Sequence, residues 1–186
     1  AASDVYKRQL YYTLKIDPAN FSYEVLAQVD CFVRDMAFDY TTGTMFAVLS
    51  DDRNTGALAQ MDLKTGLFTV VGDTGYEMVA LACDNEGALY AVNAAGYLYQ
   101  LNKDTAEATY RSSTSMSGSM YQSMHYDYNN DTIYWAQTSG FGSKLMRLDR
   151  ETGYAVSLGV IDAASGKQKS LGIEVTSVSY THLTLP

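Results

Sequence analysis

The residues in this chain that could do chemistry are few: two histidines, His125 and His182, two cysteines, and a handful of short polar runs. His125 sits in the stretch MHYDY. An imidazole titrates near neutrality and serves as an acid or base when a second group orients it. No partner histidine or carboxylate cluster stands at a recognisable spacing from it, so no catalytic residue is assigned and His125 is kept as the single candidate. Asp127-Tyr128-Asn129-Asn130-Asp131 has the oxygen spacing that opens a calcium loop. Thr132 and Thr138 stand where such a loop needs its glycine and its bidentate glutamate, so the run reads as a hairpin turn and no metal is expected. Cys31 and Cys83 define neither a disulfide framework nor a metal site, and buried free thiols are expected.

These residues are positioned by an internal repeat. LYYTLKID ending at Asp17, TGALAQMD at Asp62, GYLYQLN at Asn102 and SKLMRLD at Asp149 share one pattern, at spacings of 45, 40 and 47 residues. The residue before each polar anchor is apolar (Ile16, Met61, Leu101, Leu148), and the one before that is long and polar (Lys15, Gln60, Gln100, Arg147). Such alternation marks a strand with two distinct faces. A turn follows each anchor, as in DLKTG and DRETG, where an Asp side chain accepts backbone N–H groups and Gly66 and Gly153 supply positive φ. FTVVG and AVSLG then begin a further strand, with Val71 and Leu158 equivalent.

A second ladder runs independently. MAFDYTTGTMFAV, LACDNEGALYAV and MHYDYNNDTIYWA align on Asp39, Asp84 and Asp127, at spacings of 45 and 43. Two ladders of the same period, each about the length of a four-stranded propeller blade, predict an all-β fold. The expected architecture is a β-propeller fragment: about three complete blades with a partial blade at each end, in an open arc. The blades are read as 10–30 (partial), 32–75, 77–114, 120–161 and 166–177 (partial). Ala37, Ala80 and Ala82 fit innermost strands crowded around an axis, and His125 falls where sibling strands carry Ala37 and Ala82. A polar residue lining a wet channel is the competing reading of that histidine.

Residues 1–9, AASDVYKRQ, read as the translation of a transposon-end adapter used to prepare DNA libraries. Residues 178–186 begin VSYTHLTL, the opposite strand of that oligonucleotide in a shifted frame. Both are set aside as artefact, which makes 10–177 one partial propeller domain from a longer, metagenomic reading frame and removes His182. Without Asp4, Lys7 and Arg8, the 13 basic and 21 acidic side chains become 11 and 20, a net charge of −9. An acidic chain with no basic cluster argues against nucleic acid and against anionic membrane surfaces as partners.

The pattern LxxLDxxTGxxxxVG followed by LAxDxxGxLYAV resembles the bacterial propeller repeats of the YVTN, NHL and quinoprotein-like group. That resemblance implies extracellular binding or adhesion modules, some lyases and hydrolases, or cofactor-dependent dehydrogenases. Trp135 is the only tryptophan, so the docking pattern of pyrroloquinoline quinone blades is missing and no cofactor is expected. The leading expectation is a non-catalytic binding module of a secreted or cell-surface bacterial protein, with a protein or carbohydrate ligand. The alternative is a lyase or hydrolase with its site in the central channel and His125 as acid or base. Ligands of propellers usually meet the face that carries the loops entering inner strands. The candidate binding residues there are Asp51, Asp52, Arg53, Tyr76, Glu77, Tyr121 and Gln122, against which stands the reading of ordinary solvated turns.

Overall fold

The computed structural model describes residues 11–50, 56–116, 122–139 and 142–161. They form strands and turns, with no helix among them and therefore none long and apolar enough to cross a membrane. A two-stranded sheet comes first, β1 (Tyr11–Ile16) and β2 (Tyr23–Val29). Three antiparallel four-stranded sheets follow in chain order. The first contains β3 (Phe32–Asp39), β4 (Thr44–Ser50), β5 (Gly56–Met61) and β6 (Phe68–Asp73). The second contains β7 (Met78–Cys83), β8 (Leu89–Asn93), β9 (Tyr97–Leu101) and β10 (Ala108–Ser113). The third contains β11 (Ser123–Asp127), β12 (Thr132–Ser139), β13 (Gly142–Leu148) and β14 (Ala155–Val160). Each is a propeller blade, and together they make an open arc with β3, β7 and β11 innermost.

Strand alternation explains why the blades need one another. On β8, Leu89 and Ala91 point into the core shared with the preceding blade, beside Phe46, Val48 and Leu58. Tyr90 and Val92, one residue out of step, join Met124, Ile133 and Trp135 in the core shared with the following blade. The middle blade is thus apolar on both faces, and every residue of β7 and β8 is buried. At about 1.5–3 kcal/mol per fully buried large aliphatic side chain, these two cores dominate the stability of the arc.

The turns close as their side chains dictate. Oδ1 of Asp62 accepts the backbone N–H groups of Lys64 and Thr65 at 2.7 and 3.1 Å. Asn102 does the same for Asp104 and Thr105, and Asp149 for Glu151 and Thr152. Four residues past each anchor the chain takes positive φ, at Gly66 (71°), Ala106 (64°) and Gly153 (70°). The outermost strand of each sheet carries a register shift at one repeat position, which leaves Leu26, Val71, Arg111 and Leu158 without a cross-strand partner.

Ion pairs also recur between blades. Lys103, the residue after Asn102, reaches the buried Asp39 of the preceding blade at 2.7 Å. Arg150, the residue after Asp149, lies 3.7 Å from the buried Asp84 of the blade before it. Burial alone would raise the Asp39 carboxyl, but the Lys103 ammonium and the hydroxyls of Thr41 and Thr42 outweigh it and hold the group well below the usual carboxylate range. A depressed folded-state value contributes stability that is present above the unfolded value and lost as pH falls through the folded one. Urea midpoints should therefore drop between about pH 5 and about pH 2, and Lys103→Met should flatten that slope.

Candidate functional site

The concave side of the arc holds a cavity of about 830 Å³ lined by the three inner strands. Its floor is small where the blades crowd, with Ala37 on β3 and Ala82 on β7, and His125 occupies the matching place on β11. Its walls are otherwise mostly apolar, with Met36, Phe38, Met45 and Met124 among them. A pocket of this size and lining, with a few convergent polar groups, is of the kind that takes a small ligand or an inserted side chain.

The cavity has two unlike ends. At the end where chains enter the inner strands, Arg34 and Glu77 pair at 2.5 Å, both side chains nearly buried, with the guanidinium 4.4 Å from the Phe32 ring centroid. Beside them Asp35 ties three blades together. Its Oδ2 accepts the backbone N–H of Leu81 on β7 at 2.8 Å and that of Met124 on β11 at 2.9 Å. Its Oδ1 accepts the Ser123 hydroxyl at 2.9 Å and its neighbour's N–H, from Met36, at 3.0 Å. Burial pushes the Asp35 carboxyl up to about 7 against the downward pull of these four donors. The residue is partly exposed and lines the cavity.

The other end is aromatic. Phe38, Tyr40, Tyr128 and Tyr126 form an edge-to-face chain with centroid separations of 4.8, 5.2 and 4.9 Å. Tyr40 is 68% exposed and Met36 43%, so the rim offers apolar surface to solvent. The Tyr128 hydroxyl donates to the carbonyl of Cys83 at 3.2 Å, and that of Tyr126 to Asp131. Cys83 lines the cavity as a free thiol, which burial first and the Asp39 carboxylate second push up to about 12. It is therefore protonated and unreactive near neutral pH.

Four of the seven candidate binding residues, Asp51, Asp52, Arg53 and Tyr121, lie outside the described residues, as do segments 1–9, 166–177 and 178–186. Of the others, Glu77 is engaged by Arg34 at the cavity's end. Tyr76 stacks on Tyr99 at 4.7 Å and stays half exposed. Gln122 is buried, and its Oε1 accepts the Trp135 indole N–H at 2.9 Å. In the Asp127–Asp131 run the carboxylates are turned to separate partners. Asp127 holds its own loop through Asn129 and Asn130, while Asp131 takes Tyr126 and Arg150. That arrangement is a closed turn, with no convergence of oxygens on one point.

Sequence reasoning passed over Asp35, Arg34, Met36 and Tyr40. The signal for Asp35 was of the kind that singled out His125: its siblings four residues before the second anchor are Ala80 and Ser123.

No protein-family model matches the chain, and no curated protein sequence does. Solved structures do match. A chain of the nidogen/laminin complex superposes with a TM-score of 0.61 at 11% identity, over 80% of this chain and 57% of that one. An auxiliary nutrient binding protein from Bacteroides ovatus gives 0.55 at 15% identity, over 84% and 38%. TolB from Acinetobacter baumannii gives 0.54 at 15%, over 78% and 36%. At these identities the likeness is one of fold, that of the β-propeller. The chain spans little more than half the length of these structures at most.

Proposed function

We propose that the protein is a non-catalytic binding module of a secreted or cell-surface bacterial protein, taking a protein or carbohydrate ligand at the concave side of the arc. The observation that carries this reading is the cavity itself. Its walls are apolar and aromatic, it opens to solvent at Met36 and Tyr40, and its polar groups are largely engaged with one another. Such a wall suits the holding of an apolar or aromatic group. Structural neighbours described as a nutrient binding protein and as part of a protein complex support the reading by analogy of fold.

A panel of peptides and oligosaccharides screened by NMR tests it. Ligand-induced shifts should gather on Met36, Tyr40 and His125, and Tyr40→Ala should weaken the best hit about tenfold, the loss of one well-packed aromatic contact. Shifts confined to the convex side would sink the assignment. An enzymatic reading rests on His125 and Asp35 lining one cavity, the second with a value raised toward neutrality. It would replace the first if turnover of a polysaccharide or ester substrate were found and were abolished by His125→Ala.

A further inference from the structure

We propose that the outward face of the β11–β14 sheet is an interface for another blade of the same kind, with Asp127 as the acidic half of its ion-pair key. The two interfaces between complete blades are built from the same parts. In the first, Lys103 meets Asp39, and Ala106, in left-handed conformation four residues past the anchor, sits against Gly72. In the second, Arg150 meets Asp84, and Gly153 sits against Ser112. Each blade thus offers an acidic residue at the end of its inner strand and a small residue on its outermost strand. The next blade's turn fills both.

The β11–β14 sheet carries both receiving parts. Asp127 occupies the repeat position of Asp39 and Asp84, is 5% exposed, and has no Lys or Arg within ion-pair distance among the described residues. Gly159 pairs with Leu145 as Gly72 pairs with Leu58, and a Cβ built there would meet nothing within 4 Å. Leu158 is 49% exposed, whereas its equivalent Val71 packs into the core shared with the next blade. The face is therefore continuous in design with two formed interfaces and complementary in charge to a basic turn.

The chemistry of the occupant follows. It is a four-stranded antiparallel blade with Lys or Arg directly after its turn anchor and a small residue at positive φ three residues later. The leading sheet of a second copy does not qualify. Its turn places Pro18 where the cation belongs, and Phe21, at φ 58° and 82% exposed, where the small residue belongs.

The middle blade supplies a ready probe, because Ala106 already fits a glycine. The chain carrying a second copy of residues 74–114 directly after Ile161 should melt about 5 °C above the parent chain in a single transition. Asp127→Asn, or Met in place of the duplicated Lys103, should each remove about half of that gain, and the two together no more than either alone. No gain in the extended chain overturns the proposal. So does a gain that neither change touches, which would mean apolar adhesion without the key. Head-to-tail oligomers of the parent chain in sedimentation, abolished by Asp127→Asn, would overturn the choice of occupant by naming a second copy.

Discussion

Replacing Asp35 with alanine should destabilise the arc by about 4 kcal/mol, read as a lower urea midpoint. Two backbone N–H groups and a hydroxyl from two other blades would lose their acceptor at once, and each buried donor left unmet costs about 1–3 kcal/mol. Asparagine should be almost as damaging, since its amide would turn a donor toward two donors. The loss should appear as separation of inner strands rather than collapse of one sheet. Hydrogen exchange should therefore quicken first at Leu81 and Met124, the amides that Asp35 accepts from β7 and β11. The pH dependence has its own sign. A carboxyl raised in the folded state, from 3.8 to about 7, is the opposite case to Asp39. Its contribution is fully present below the unfolded value and declines as pH climbs through the interval to the folded one. Asp35→Ala should erase that decline and leave the acid-side loss set by Asp39 untouched.

Gly153→Ala should cost about 3 kcal/mol, of which about 1 is the left-handed conformation and the rest collision with Ser112. A Cβ at position 153 would stand 2.6 Å from that of Ser112 and closer still to its hydroxyl. The companion interface shows how the collision is avoided. There the turn carries Ala106 and the receiving strand carries Gly72, so the side chain has moved from one partner to the other. Ser112→Gly in the Gly153→Ala background should accordingly restore about 2 kcal/mol. Alone it should change little, because the Ser112 hydroxyl is buried without a hydrogen-bond partner among the described residues. A double-mutant cycle by chemical denaturation measures this coupling, and simple additivity would show that the two positions are not complementary.

The repeat was legible because its signals are local. Asp62, Asn102 and Asp149 fix their turns with backbone groups two and three residues on, and the alternation of Leu89, Tyr90, Ala91 and Val92 already separates two faces. What was not legible is whatever depends on a partner far along the chain. Gln122 reads as an exposed loop residue until Trp135 is seen to need an acceptor. Glu77 reads as a binding carboxylate until Arg34, 43 residues earlier, neutralises it. Asp35 reads as half of an adjacent Arg-Asp pair between apolar residues, because nothing in VRDM says that β7 and β11 converge on it. Ala106 is the instructive intermediate: its place in the turn was predictable, but its tolerance of a side chain depends on Gly72 in the neighbouring blade.

The unpaired residue that recurs on the outermost strands, Leu26, Val71, Arg111 or Leu158, has a consequence for how such chains fail. A strand edge templates fibril growth when its free N–H and C=O groups form a regular row against which a further strand can register. An extra residue in mid-strand breaks that row and steepens the local twist, so an incoming strand that matches one half of the edge is out of phase with the other. Amyloid-type elongation outward from a blade is thereby blocked at the same point in every unit. The blades are left free to multiply around the axis, where burial rather than backbone pairing decides what is accepted.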